Sequence, residues 1–576
     1  MESSLLAEWC CGSSIFKCSP ISSSAHTKRS LTALPQANAE DHHHRCTTTT
    51  TTTKAATLLP PKSHTTLHDQ TFPLKSQQWV HFIGIGGYGL SALAFYALQK
   101  GWHVTGSDIS WSKKLEGLQS AGATVYVGHR ISQLWGQDGK QLPDHVVLSS
   151  AIPCNNVELS MALELGLKIH KRGSWLAQTT CDHDLIAVSG SHGKSTTTAM
   201  LSMVLKDMDT NISAVVGADV PQFPGGGSVM CGSGSTFILE ADEYDGCFLS
   251  LTPQIALITN IDWEHVDMFP DEAAVIDLFR QFCRRLKPGG TLIFCGDSES
   301  ARCIASDLML QAKTPEDEGE LVFSSHQVVS YGLGENNVWR AVMIEPNSYG
   351  GSDYLATCNR EVMTRVQIQL PGLHNVLNSL AVIATAVNLI SQNPKNEVGL
   401  SVNVQKEASE AASASLRCFR GVRRRLEFVG MMKHCLIYDD YAHHPTEVEA
   451  TLEAARQLFS KQPVWLVFQP HEYIRVSKLL KQFAAALAGA DRVIVTEIYA
   501  ARGKNSWGIS GQDIVNEISR TSAVYIPGLD GVCAHLLAEL ADFGSSAIED
   551  RVVIITMGAG DITNLGLMLL QKLSRV

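Results

Sequence analysis

Short apolar runs of strand length alternate with longer runs of helical spacing from residue 79 onward, and most of the short runs end in glycines, acids or histidines. Residues 79–85 predict a strand, a glycine turn follows, and residues 90–99 carry helical periodicity. A second strand at 103–105 ends near Asp108, and short strands at 125–127 and 146–149 complete a small α/β unit that closes near Gln178. The apolar run 185–188 then enters a glycine loop that opens a helix through Leu201. Further strands fall at 237–240 and 255–261, and residues 371–390 predict a turn and a long, mostly buried helix. A polar, Ala- and Ser-rich stretch ahead of Arg417 reads as a linker. Beyond it, strands at 435–439, 464–468, 492–496 and 552–556 alternate with helical segments such as 476–487, which predicts a parallel sheet.

Residues 1–75 have a different texture. They are rich in Ser and Thr, include an unbroken threonine run at 47–53 and the histidines His42, His43 and His44, and show no sustained apolar periodicity. Such a stretch cannot bury enough surface to fold, and its composition fits a transit peptide, with few arginines favouring a plastid over a mitochondrion. The expected address is the chloroplast stroma, and the cytoplasm is the alternative. The chain of 576 residues exceeds one ordinary core and predicts three or four domains. A net charge of −11 argues against nucleic acid as a partner, and small-molecule substrates fit better. The 15 cysteines form no Cys-x-x-Cys pair, and no continuous membrane-spanning run is read, so reduced thiols and no membrane partner are expected. The oligomeric state is not legible.

The chemistry concentrates at the strand ends. Gly190, Ser191, His192, Gly193, Lys194, Ser195 and Thr196 stand at a strand-to-helix junction. The glycines let backbone amides approach an anion, the helix start adds its positive dipole end, Lys194 supplies a full charge and Ser195 can hold Mg²⁺. This pattern selects a nucleoside triphosphate such as ATP. Val188 stands where the longer phosphate-loop spacing would have glycine, so the shorter Gly-x-x-Gly-Lys-Ser form is present. Gly84, Gly86 and Gly89, with Gly87 between them, set a second glycine turn, and Asp108 lies where a ribose-binding acid is expected. The stretch FILEADEYD ends a strand in acids including Glu240, oxygen donors that suit Mg²⁺ beside a phosphate loop, and the next strand delivers Asp262, Glu264, His265 and Asp267 into the crevice where α/β proteins bind ligands. His374, Asn375 and Asn378 open the long helix. Arg417, Arg420 and Arg423 to Arg425 are placed to stabilise a phosphoryl group under attack.

Nine blocks in one order, HFIGIGGYGLS, GSHGKSTTT, EADEYDG, TNIDWEHVD, PGLHNVLNSLA, FRGVRRRLE, DDYAHHPTEV, VFQPHEYIR and TMGAGDI, closely resemble the Mur ligases over roughly residues 79–566. The resemblance implies an α/β, three-domain architecture: a Rossmann-like UDP-sugar domain at 76–178, a central P-loop ATPase at 179–415 and a Rossmann-like amino-acid domain at 416–576. It also implies an ATP-dependent amide ligase of peptidoglycan precursor synthesis. ATP would phosphorylate the lactyl carboxylate of UDP-N-acetylmuramate, and an amino acid, L-alanine first of all, would displace the phosphate. By the same resemblance Lys194, Glu240, His265 and Arg424 are catalytic, and Ser195, Glu240 and His265 hold the metal. His374 and Asn375 lie at the nucleotide, Gly84, Gly86, Gly87, Gly89 and Asp108 take the UDP-sugar, and Tyr441, His443, Arg475 and Ala559 line the amino-acid pocket.

Three departures bear on the amine. Glu472 replaces the arginine usual between the His and Tyr of the family's His-Arg-Tyr-Ser-Arg block, which reverses the local charge; Tyr244 replaces a small serine; and residues 502–507 differ from the usual loop. Glu472 motivates the alternative of a catalytically degenerate protein that binds nucleotide and UDP-sugar without turnover. The glycine turn alone would also suit an NAD-dependent oxidoreductase.

Overall fold

The computed structural model describes residues 78–136, 139–208, 210–311, 326–391, 401–432, 435–500, 504–541 and 551–573. The leader with its histidine and threonine tracts, and Arg502, lie outside the described residues. Three sheets organise the rest. The first has five parallel strands in the order Thr124–Val127, His103–Asp108, Trp79–Ile83, His145–Leu148, Lys168–Lys171. Trp79–Ile83 is buried along its whole length, as a central strand of a sheet covered on both faces must be. The strand order reverses direction beside this strand, and the crevice of a doubly wound sheet opens there, at the turn that starts with Gly84.

The second sheet has ten strands, with Asp184–Ser189 between Ile255–Ile258 and Thr236–Glu240. These three run parallel, so their carboxyl ends converge on the loop ahead of the helix Lys194–Asp207. At the far edge, Trp339–Pro346, Ser352–Cys358 and Glu361–Ile368 form an antiparallel meander. The third sheet runs Glu427–Met432, Cys435–Asp440, Val552–Met557, Val464–Phe468, Arg492–Val495, Ser522–Tyr525, and only the first of these strands is antiparallel.

Several expectations are corrected. The strand predicted at 255–261 stops at Ile258, because Thr259 and Asn260 turn back to bond Ser189 and His192 of the phosphate loop. The presumed linker is a helix, Val402–Cys418, whose buried face of Ala408, Ser409, Ala412, Ser413, Ser415 and Leu416 recurs at helical spacing. Small side chains on that face let it lie close against the strand Glu361–Ile368 and the helix Leu373–Ser391, so its polar composition hides a packing surface. The long helix expected at 371–390 is present as Leu373–Ser391; by length and composition it is apolar enough to cross a membrane, and 67% of its most apolar 18-residue window is buried inside the protein, as expected of a core helix.

The first two sheets share a core. Phe82 and Trp175 belong to one apolar cluster with Leu185, Ala187 and Phe237 of the second sheet, and Tyr96 meets Phe237 edge-on with ring centroids 5.3 Å apart. The third sheet has its own core, which takes in Val266 from the loop after Ile255–Ile258.

Candidate active site

Gly193 caps the helix Lys194–Asp207 in the left-handed conformation (φ +86°), and a side chain there would run into Asn378. Gly190 (φ +130°) is more constrained still, since a Cβ would collide with Thr259 and the backbone of Asn260. The loop is therefore shaped by the neighbouring strand end as well as by its own glycines. His192 N–H donates to Asn260 Oδ1 (2.8 Å), and Ser191 Oγ accepts from Asp262 N–H (2.8 Å).

Lys194 Nζ donates to Gly190 O (2.6 Å) and to both carboxylate oxygens of Glu243 (3.0 and 2.9 Å). Burial alone would lower its pKa, but the Glu243 carboxylate outweighs burial and raises it, so the ammonium stays charged. Ser195 Oγ donates to Glu240 Oε1 at 2.8 Å, and Gly217 N–H donates to the other oxygen. Burial pushes the Glu240 carboxyl up, which is the state of a buried acid that a cation would hold ionised. His265 Nε2 faces Glu243 Oε1 at 3.2 Å, with Asp242 beside them; one donor atom from each of these three lies within 4.8 Å of the others. The hydroxyl, carboxylates and imidazole gathered here fit a divalent cation between hard oxygen donors.

Two cavities open on either side of the phosphate loop, and His192, Gly193, Ser195, Arg423, Arg425 and Glu447 face both. The larger, about 560 Å³, is lined by Thr196, His374, Asn375 and Asn378 from the central unit and by Arg420 and Thr451 from the third. Burial holds His374 down to about 4, so it is a neutral imidazole. The second cavity, about 350 Å³, holds Lys194, Glu240, Asp242 and His265 together with Gly89 of the first glycine turn and Tyr441 and His443 of the third sheet. All three sheets thus contribute to one cleft.

Other predicted residues take supporting places. Gly84 and Gly86 shape the turn and Gly87 caps the helix Tyr88–Gln99, and none of the three lines either of these two cavities, whereas Gly89 lines the second. Asp108 accepts the Gly86 N–H (2.9 Å), so the acid expected at a ribose braces the turn. Arg424 is held by Asp439 (3.0 Å) and Gly558 O (2.6 Å), with its guanidinium 4.8 Å from the Tyr441 ring, and it too faces the second cavity. Arg475 is buried behind the cleft, 2.6 Å from Glu264, and neither it nor Ala559 lines either cavity. Glu472 caps the helix Tyr473–Leu487 at φ +64°, an unusual backbone state for a residue with a Cβ, as do His265 (φ +52°) and Arg424 (φ +59°) at their own positions.

Arg172 and Glu243 carry no role in the sequence reading, and Glu447 only that of an acid suited to a helix's first turn, which it is in Pro445–Leu458. Arg172 joins Asp242 (3.2 Å) beside Gly89 and so couples the first sheet to the acids of the second. Glu447 gathers Arg425 (3.1 Å), His192 (3.5 Å) and His443 (3.3 Å). With Asp262 it outweighs burial and holds His192 up at about 10. The spacing of Glu447 four residues after His443 was the available signal; for Arg172 and Glu243 the pairing partners are too distant in sequence to be read.

A phosphate loop facing a second glycine turn across a three-sheet cleft defines a phosphate-binding α/β protein of multi-domain type. Residues 79–183 match the Mur ligase family catalytic domain, residues 188–386 the Mur ligase middle domain, and residues 424–560 the Mur ligase glutamate ligase domain. The chain belongs to the Mur ligase family. The UDP-N-acetylmuramate--L-alanine ligase of Frankia casuarinae is 38% identical over 86% of this chain and 98% of its own length, and that of Syntrophomonas wolfei is 36% identical over 86% and 97%. Among solved structures, the UDP-N-acetylmuramate-alanine ligase of Thermotoga maritima shares the fold with a TM-score of 0.66 at 24% identity, covering 86% of this chain and 99% of its own. A murein peptide ligase from Psychrobacter arcticus gives a TM-score of 0.60 at 22% identity over 87% and 99%.

Proposed function

We propose that this protein is an ATP-dependent amide ligase that joins L-alanine to UDP-N-acetylmuramate through an acyl phosphate. The observation that carries this reading is that Gly89 of the first glycine turn and Lys194 of the phosphate loop face the same cavity. A sugar-nucleotide seated over the turn can then present its acid to a triphosphate in the loop. Two anions must meet there, and Lys194, Arg172 and Arg423 to Arg425 surround the meeting point with positive charge. Ser195, Glu240 and His265 would hold Mg²⁺, which when bound offsets phosphate charge and polarises the γ-phosphate.

The carboxylate oxygen attacks the γ-phosphorus, ADP leaves, and the amine then attacks the activated carbonyl and expels phosphate. His374 and Asn375 line the neighbouring cavity, where the nucleoside end of the triphosphate would lie. Closure of the third sheet over the cleft keeps water from the acyl phosphate. The domain boundaries near 178 and 415 follow the same assignment of substrates to sheets. Release of phosphate that requires ATP, UDP-N-acetylmuramate and L-alanine together, and is abolished in Lys194→Ala, is the expected result. Absence of release with every amino acid tried would overturn the reading.

The composition of residues 1–75 supports delivery to a plastid. A fluorescent protein fused behind those residues should enter the organelle, and diffuse cytosolic fluorescence would count against it.

A further inference from the structure

The helix Pro445–Leu458 of the third unit meets the central unit at both of its ends. Near its start, Glu447 reaches His192 of the phosphate loop (3.5 Å). At its far end, Gln457 lays its carboxamide between two backbone turns of the central unit: Oε1 accepts the Gly372 N–H (2.9 Å), and Nε2 donates to Gly351 O (2.9 Å) and Ser352 Oγ (3.2 Å). Turned over, the amide would set N–H against N–H and oxygen against oxygen, so both ends of the group are specified. Two glycines make the room. A Cβ at Gly350 (φ +86°) would fall 2.5 Å from Leu458, and one at Gly372 (φ +92°) 2.6 Å from the His374 ring and 3.0 Å from Ala454. Gly372 also closes the start of the helix Leu373–Ser391. Its carbonyl accepts the Asn375 N–H (3.1 Å), while Asn375 Nδ2 donates to Pro371 O (2.7 Å) and stands 3.1 Å from His374 Nε2. Asn375 Oδ1 in turn accepts from Asn378 (3.3 Å), the side chain that a Cβ at Gly193 of the phosphate loop would strike.

We propose that Gln457 is a positioning residue for ATP: with the third unit docked, its carboxamide holds the Pro371–Asn375 turn in the shape that receives the nucleoside end. This rests on the ATP site of the ligase reading above. Gly351 and Gly372 are buried, so without the carboxamide a backbone carbonyl and a backbone N–H lose their partner away from water. The turn then relaxes, or the third unit lifts from it. Only the docked fraction binds nucleotide fully, which raises the apparent dissociation constant. Gln457 lines neither cavity of the cleft, and its partners lie at 351–352 and 372, away from the glycine turn assigned to the UDP-sugar. The residue therefore acts through the turn, on one substrate of the three.

Calorimetry on the full-length protein, with ATP in the presence of Mg²⁺ and UDP-N-acetylmuramate titrated separately, tests the assignment. Gln457→Leu keeps the volume of the side chain and removes its hydrogen bonds. The dissociation constant for ATP should rise about 5- to 20-fold, the scale of buried polar groups left unpaired, with that for UDP-N-acetylmuramate within about twofold of the parent. In steady-state turnover the KM for ATP should rise while kcat at saturating ATP stays close to the parent's. A merely structural role would weaken both ligands and lower kcat. Equal losses for the two ligands, or an unchanged ATP constant, would overturn the proposal, and Gln457→Ala repeats the comparison if the leucine variant does not fold. A parent protein that binds ATP yet releases no phosphate with UDP-N-acetylmuramate and any amino acid would instead sink the ligase reading and leave this assignment in place.

Discussion

Glu243 binds Lys194 and His265 at once, through 2.9 Å to the ammonium and 3.2 Å to the imidazole Nε2, and is itself 1% exposed at the side chain. The loop cation and the expected metal-site histidine are thereby referred to one buried carboxylate. Glu240, three residues earlier on the same strand end, is left to Ser195. The two acids divide the work: one holds the lysine in place, the other waits beside the helix start.

Replacing Glu243 by Gln should leave Lys194 without its counter-charge in a buried position. The expected loss of stability is ~3 kcal/mol in urea unfolding, in the range for a broken buried pair, together with weaker ATP binding by calorimetry. An unchanged unfolding midpoint would show that Lys194 finds another partner.

Gly190→Ala meets both a positive φ and two atoms of the next strand end. The loop must shift, at ~1–3 kcal/mol of backbone strain, and ATP affinity should fall at least tenfold with UDP-sugar affinity unchanged. Titration of each ligand separately reads the difference.

Glu264 and Arg475 form a buried pair at 2.6 Å between the second and third sheets. Against the cost of burial, the Arg475 guanidinium holds the Glu264 carboxyl far below its ordinary 4.5. The pair therefore contributes its full stability above pH 4.5 and loses it as pH falls toward the depressed folded value. Arg475→Ala should cost ~3–5 kcal/mol at neutral pH, and Glu264→Gln should flatten the acid side of the stability curve measured by denaturant titration.

His145 and His170 touch at 2.9 Å beneath Trp175, and burial lowers both to about 4. The unfolded chain takes up their protons near 6.5 and the folded chain does not, so stability falls as pH drops from 6.5 to 4. Trp fluorescence during urea unfolding should show the midpoint declining across that window, and His170→Asn should reduce the decline.

What could be read from the sequence was local. Gly190 to Ser195 and Gly84 to Gly89 announce themselves because a turn against an anion restricts a few adjacent residues, and the strands beside them are short apolar runs with clear ends. The helix Val402–Cys418 was missed because its buried face is made of Ala and Ser, whose spacing matters and whose hydrophobicity does not. Asp108 and Arg424 were found by position, yet their partners, Gly86 N–H and Asp439, come from the way strands stack. Glu243 was one acid in a row until the fold brought Lys194 to it.

Val266 sits in the core of the third sheet although it belongs to the loop of the second, and Lys478 clasps that loop by bonding the Val266 carbonyl (3.1 Å) and covering the Trp263 ring (4.9 Å). His265 is the residue immediately before this anchor. Any swing of the carboxyl-terminal lobe away from the nucleotide side must either unplug Val266 or drag His265 along, so the jaw cannot gape without disturbing the jewel of charge at its root.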